Sequence, residues 1–115
     1  MNVLPRADEA IIPIEKLTKY VLDPINSRGK WMAFKDALGY DINNADELSN
    51  NIRNNLKNFS AVFKGDKGYG KTYSVLMELT GANGKNANVM TAWLIDNKNN
   101  EIRMTSAYVK KRKVP

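Results

Sequence analysis

The sequence predicts an α+β domain, with N-terminal helices packed on one face of a C-terminal antiparallel β-meander of about four strands. Three observations predict it. Apolar residues recur at helical spacing up to Phe59, they alternate with more polar residues beyond it, and the alternating runs are joined by Gly- and Asn-rich turn chemistry. Helices segregated before strands are the pattern of helices lying on one side of a sheet. With 115 residues, 43% of them hydrophobic, the chain reads as one domain over 1–115 that can bury a core without cross-links.

The helices are expected over about 13–59, the sheet over about 60–109 and a basic tail over 110–115. Pro13 suits the first position of a helix, where its missing N–H costs nothing. Ile14, Leu17 and Val21 then share a face, and Asp23-Pro24 ends the run because proline disfavours helical geometry in the residue before it. Ser27 is a candidate cap for a second helix in which Trp31, Phe34 and Leu38 repeat, with Gly39 as its stop. Trp31 and Phe34 are read as core. Asn44 is a candidate cap for a third helix, with Asp46 and Glu47 in the first turn, where the helix dipole favours acids. Its apolar stripe is Ala45, Leu48, Ile52, Leu56 and Phe59, and its other face is rich in asparagine.

Ala61-Val62-Phe63 opens the strand region. Tyr73, Val75, Met77 and Leu79 alternate with polar neighbours, as do Val89, Thr91, Trp93 and Ile95, and then Ile102, Met104, Ser106 and Tyr108. Gly81-Ala82-Asn83-Gly84 and Asp96-Asn97-Lys98-Asn99-Asn100 supply turns between them.

Composition excludes several classes of chemistry. Without cysteine there is no disulfide and no thiolate metal site. Without histidine the commonest general base and the commonest zinc ligand are both missing. The acids are scattered, so no metal site and no cofactor are expected. No apolar run approaches the roughly 20 residues that span a bilayer, and Met1 to Ala10 lacks the apolar stretch of a signal peptide, so no membrane insertion by this domain is expected. Eighteen Lys and Arg against twelve Asp and Glu give +6. The isoelectric point of about 9.6 lies where nucleic acid becomes a serious partner, although the same charge also serves plain solubility. Most acids precede Ala61, and Lys64, Lys67, Lys71, Lys85, Lys98, Arg103, Lys110, Lys111, Arg112 and Lys113 follow it. The tail run Lys110-Lys111-Arg112-Lys113-Val114 resembles a nuclear import signal but is read as a disordered phosphate-binding tail.

Gly65-Asp66-Lys67-Gly68-Tyr69-Gly70-Lys71-Thr72 fits the pattern of a phosphate-cradling nucleotide loop. That loop must open a helix, whose N-terminal amides hold the phosphates. Tyr73 to Thr80 alternates and is stopped by Gly81, which is strand behaviour, so nucleotide hydrolysis is set aside. Lys67, Lys71 and the loop amides remain candidates for contacting an RNA phosphate.

Several segments carry a family resemblance: Leu4 to Pro13, Lys16-Leu17, Tyr20-Val21-Leu22, Gly29-Lys30, Ala37-Leu38-Gly39-Tyr40, Tyr73, Leu79-Thr80-Gly81, Asn83-Gly84, Val89 to Ile95 and Arg103 to Tyr108. Across nearly the whole chain they resemble an uncharacterised family of small bacterial domains. The closing pattern is similar to the last strands of toxin ribonucleases of the barnase–EndoU–colicin–RelE group. The resemblance implies a detachable C-terminal toxin unit, as in contact-dependent growth inhibition or other polymorphic toxins. It further implies RNA, tRNA above all, as substrate, and a cognate acidic immunity protein as partner. By analogy with some tRNA-cleaving toxins, a translation elongation factor is a further partner. Such a unit is secreted or delivered as part of a larger toxin and acts in the target-cell cytoplasm. The barnase-like and EndoU-like branches use histidine, which this chain lacks, so the RelE-like and tRNA-cleaving colicin branches stand closer.

Such chemistry is open to lysine, arginine, tyrosine and acids, because RNA carries its own nucleophile in the 2′-OH. In a strictly alternating strand Arg103 and Thr105 share one face while Met104 and Tyr108 share the other, and Thr91 and Trp93 share a face next door. With Thr91, Arg103 and Thr105 on an open sheet face, Arg103 holds the scissile phosphate and the two threonines donate hydrogen bonds to it. Lys30 is a general base or a second phosphate clamp, and Tyr108 is an acid or a base-stacking ring. Lys67, Lys71, Lys85, Lys110, Lys111 and Arg112 are RNA-binding candidates. Each has an ordinary alternative: Trp93 as core, Thr91 and Thr105 as strand formers, Arg103 as a solvated strand charge and Lys30 as a surface lysine. Three readings stay open: a ribonuclease toxin domain, a non-catalytic RNA-binding module and a protein-interaction domain.

Overall fold

A computed structural model describes residues 2–25 and 27–110. Pro13 stands just ahead of α1 (Ile14–Lys16) as its N-cap, one place earlier than expected. The helix runs on as a π-helical turn, Leu17–Val21, that buries Leu17 and Val21. Ser27 occupies the cap position of α2 (Arg28–Leu38), though its side chain makes no capping hydrogen bond. Gly39 ends α2 in the left-handed region at φ 75°, and its N–H donates to the Lys35 carbonyl at 3.0 Å. Phe34 and Leu38 are fully buried, whereas Trp31 is half-buried with the Lys35 ammonium over its ring.

Entry into α3 (Ala45–Asn55) is organised one turn earlier than the sequence suggests. Asn44 holds the cap position without a capping bond of its own to α3. Instead Asp41 Oδ1 accepts from the Asn43 N–H and Asn44 Oδ1 accepts from the Asp41 N–H, both at 2.8 Å. This reciprocal capping box sits on the 3-10 turn Ile42–Asn44 that feeds the helix. Ala45, Leu48, Ile52 and Leu56 form the buried stripe as expected, with Phe59 packed at its end.

Four strands follow: β1 (Ala61–Asp66), β2 (Gly70–Thr80), β3 (Asn86–Asp96) and β4 (Ile102–Val109). They form one antiparallel sheet in the order β1-β2-β3-β4, a simple meander. Its inner face carries Val75, Met77, Leu79, Val89, Trp93, Ile102, Met104 and Ala107, all buried. Against that face α2 packs on β3 and β4, and α3 packs on β2. The far end of the β2–β3 hairpin is fastened to α2, where Gly81 lies so close that a Cβ would overlap the Leu38 backbone.

Two features have no counterpart in the sequence reading. Leu4, Ala10 and Ile12, ahead of the first helix, are buried in the core. Ile11 bridges β4 in parallel fashion, donating to the Ile102 carbonyl at 2.7 Å and accepting from the Met104 N–H at 2.9 Å. The second feature is a β-bulge in β4. Ala92 pairs with Ser106 and Trp93 with Met104, so Thr105 is an extra residue with no partner. Strict alternation therefore breaks there. Met104 points into the core, and Tyr108, paired with Met90, points away from it.

Gly65 to Thr72 is the tip of the β1–β2 hairpin, with Gly65 and Asp66 paired to Thr72 and Lys71 across the turn 67–69, and strand β2 runs on where a nucleotide loop needs a helix. The turn is closed by the Lys67 N–H on the Gly70 carbonyl at 2.8 Å and by the Gly68 N–H on Asp66 Oδ1 at 2.9 Å.

Candidate nucleic-acid interface

Among the described residues no helix packs on the outer face of the sheet. Antiparallel partners share a face, so the register sets out its side chains in rows across β2, β3 and β4. From one end to the other the rows are Thr72–Leu94–Arg103, Ser74–Ala92–Ser106, Leu76–Met90–Tyr108, Glu78–Asn88 and Thr80–Asn86. Val62 of β1 extends the Ser74 row. Lys110 joins the Glu78–Asn88 row just past β4, where its N–H donates to the Asn88 carbonyl at 2.8 Å. The face is thus banded: a cation at one end, a floor of small residues, an apolar band with an exposed tyrosine, and a polar end.

The bulge decides which candidates meet. It brings Arg103, Ser106 and Tyr108 to the outer face together, a set that strict alternation divides between two faces. Leu94 and Met90, the partners of Arg103 and Tyr108, stand about 13 Å apart along β3 from the usual strand rise. The long side chains of Arg103 and Tyr108 can reach toward each other over Ser74, Ala92 and Ser106. Arg103 is already engaged, with its Nη2 3.5 Å from Asp96 Oδ2.

Thr91 is withdrawn as a phosphate ligand. It is completely buried on the inner face, where its hydroxyl donates to the Val75 carbonyl and accepts from Trp93 Nε1, both at 2.8 Å. Those bonds satisfy the indole N–H inside the core, and Trp93 is core as well. Thr105 lies at the bulge, half-buried and without a cross-strand partner, so it does not form a row with Arg103. Lys30 is exposed in the first turn of α2, in the helical layer, so the sheet lies between its helix and the face that carries Arg103. The proposed catalytic set therefore does not assemble at one point.

The lysines divide as well. Lys67 and Lys71 lie at the β1–β2 turn, beside the Arg103 end, and Lys85 lies in the β2–β3 turn at the opposite end. Lys110 is exposed on the outer face, and Lys111 and Arg112 lie outside the described residues. On the face itself Arg103 and Lys110 are balanced by Asp96 and Glu78, so the basic surplus lies elsewhere, on Lys64, Lys67, Lys71, Lys85 and Lys98 and on Lys111, Arg112 and Lys113 outside the described residues.

Sequence reasoning missed a cleft of about 430 Å³ at the polar end, lined by Glu78, Asn86, Ala87, Asn88 and Lys110. The Thr80 hydroxyl donates to Asn86 Oδ1 at 2.7 Å, leaving Nδ2 as the donor that Asn86 can offer a ligand. The available signal was the parity of Glu78, which alternates with the core residues Met77 and Leu79 and must face outward. Among the described residues there is no group of three or more acidic residues placed to hold a metal ion, and no helix is long and apolar enough to cross a membrane.

A family model described as a domain of unknown function, DUF6883, matches residues 3–111, and the chain belongs to that family. No curated protein and no solved structure matches the chain.

Proposed function

We propose that this member of the DUF6883 family is an endoribonuclease that draws single-stranded RNA across the outer face of its sheet. The reading rests on one observation: Arg103, Ser106 and Tyr108 project from successive rows of one uncovered face, over a floor of Ser74 and Ala92 too small to obstruct a sugar–phosphate backbone. Arginine suits a phosphate because its planar donors match two phosphate oxygens at once. A tyrosine one band further on stacks against a base or moves a proton. In the reaction the 2′-oxygen forms a bond to the adjacent phosphorus and loses its proton. The bond to the 5′-oxygen breaks, and that oxygen takes up a proton. The products are a 2′,3′-cyclic phosphate and a 5′-hydroxyl, by a route that uses no metal ion. Arg103 would carry the charge that builds up on the phosphate oxygens.

In this reading the domain is the toxin unit of a larger secreted or delivered protein, acts in the target-cell cytoplasm and takes tRNA as substrate. The lysines of the two turns supply attraction to the polyanion. They also give a cognate acidic immunity protein its complementary surface, and by analogy with some tRNA-cleaving toxins an elongation factor is a further partner. The test is tRNA integrity on gels after the domain is induced in cells, beside an Arg103→Ala control of matched stability. Discrete tRNA fragments with the parent and intact tRNA with the variant are expected. Intact tRNA and normal growth with both would remove the nuclease.

A non-catalytic RNA-binding module is favoured by a different observation. Arg103 is already paired with Asp96, and Lys30 sits in the other layer, which leaves few groups near Arg103 to move a proton. Salt-dependent RNA binding without cleavage would select it.

A further inference from the structure

We infer that the cleft of Glu78, Asn86, Asn88 and Lys110 is a nucleobase pocket selective for guanine. The inference rests on the reading that RNA lies across the outer face. Position argues first. Thr72, which shares a row with Arg103, and Glu78 are six residues apart on β2, about 20 Å along the strand. Glu78 is therefore out of range as a proton acceptor for a phosphate held by Arg103. It is one row from Tyr108, about 7 Å by the same rise. A strand whose backbone passes Arg103 and whose base stacks on Tyr108 would bring a nearby base to this cleft.

Chemistry argues second. A carboxylate offers two acceptor oxygens side by side and no donor. Among the four RNA bases, guanine alone presents two adjacent donors on its pairing edge, N1–H and N2–H. Its O6 and N7 are acceptors, and the same cleft offers donors for them in the Lys110 ammonium and the amides of Asn86 and Asn88. Adenine would set its N1 lone pair against the Glu78 carboxylate, and cytosine would do the same with N3. Uracil offers one donor flanked by two carbonyl oxygens, which the carboxylate repels. The volume, about 430 Å³, lies within the range of small-ligand sites.

The experiment measures binding of the full chain to fluorescent single-stranded oligonucleotides at low salt. Each is a run of uridines with one central guanosine, inosine, adenosine or cytidine. The guanosine oligonucleotide is expected to bind about tenfold tighter than the adenosine and cytidine ones, the discrimination typical of a paired base contact. Inosine, which lacks the 2-amino group, is expected to fall between. Glu78→Gln is expected to erase the preference while leaving residual binding, since an amide offers one acceptor and one donor. Glu47→Gln, on the helical side, is expected to leave the preference unchanged. Equal binding of all four oligonucleotides by the parent, or a preference that survives Glu78→Gln, overturns the pocket and leaves RNA binding standing. No binding to any of them overturns the pocket and the RNA reading together.

Discussion

The two faces of the sheet follow opposite rules although they are made from the same four strands. On the inner face nearly every side chain of β2, β3 and β4 is aliphatic or Trp93, and the one fully buried polar residue, Thr91, has both hydrogen-bonding roles filled within the core. On the outer face a row with Arg103 beside the buried Leu94, a row of small residues, an apolar row with Tyr108 and a polar end follow one another, and Leu76 and Tyr108 are about 40% exposed (40% and 39%). The inner face therefore carries the stability, and the outer face is composed in a way that stability does not require. Side chains that stability does not demand, collected on one uncovered surface, are where a binding function is to be sought.

The largest effect should come from the inner face. Trp93→Ala removes the largest buried side chain and leaves the Thr91 hydroxyl without its donor. A loss of about 3–5 kcal/mol is expected, read from urea unfolding. A loss under about 1 kcal/mol would mean that the two faces do not divide the work in this way. Next in size is Thr91→Val. It keeps the volume but strands the Trp93 indole N–H, and it should cost about 1–3 kcal/mol. If Thr91 touched RNA, this variant would lose RNA affinity at full stability. The core role predicts the reverse, a less stable protein whose folded fraction binds as before.

How much of this was legible in the sequence depended on whether the period stayed intact. The stripe Ala45, Leu48, Ile52, Leu56 and the alternation Val75, Met77, Leu79 have fixed periods, so the helix-then-strand order and the α+β architecture followed directly. The bulge was not legible, because one extra residue leaves no mark when it is an ordinary strand former such as Thr105. Reading through it placed Met104 and Tyr108 on one face, where the register separates them. Thr91 was misplaced for a different reason. Threonine suits either face of a strand, and only its bonds to Val75 and Trp93 reveal which one it took. The pairing of Ile11 with β4 is a contact across most of the chain, beyond the reach of any local pattern.

The bulge offers a sharper test of the comparison. Deleting Thr105 restores an unbroken ladder, and Ser106 and Tyr108 should stay on the outer face while Met104 and Ala107 stay inside. The fold should survive with a cost on the order of 1 kcal/mol, the usual size for a single change. Local twist would fall, because bulges increase it. A nuclease that depends on the relative aim of Arg103 and Tyr108 should then lose activity while remaining folded. Global unfolding on deletion would mean that the bulge is a structural necessity of the edge strand and has no part in shaping the outer face.

The smallest change in stability should come from Arg103→Ala. Its side chain is about one-third exposed (36%) and makes an ion pair with Asp96 at 3.5 Å, and pairs of this kind are worth at most about 1 kcal/mol. Stability should move by about 0.5 kcal/mol or less. If Arg103 holds a phosphate, RNA binding should weaken and the slope of log affinity against log salt should fall by about one. Asp96→Asn discriminates further. It removes the same ion pair and a negative charge beside the RNA, so a stability role for the pair predicts that both variants behave alike. A phosphate role predicts opposite signs, with weaker RNA binding when Arg103 is lost and stronger binding when Arg103 is released from Asp96.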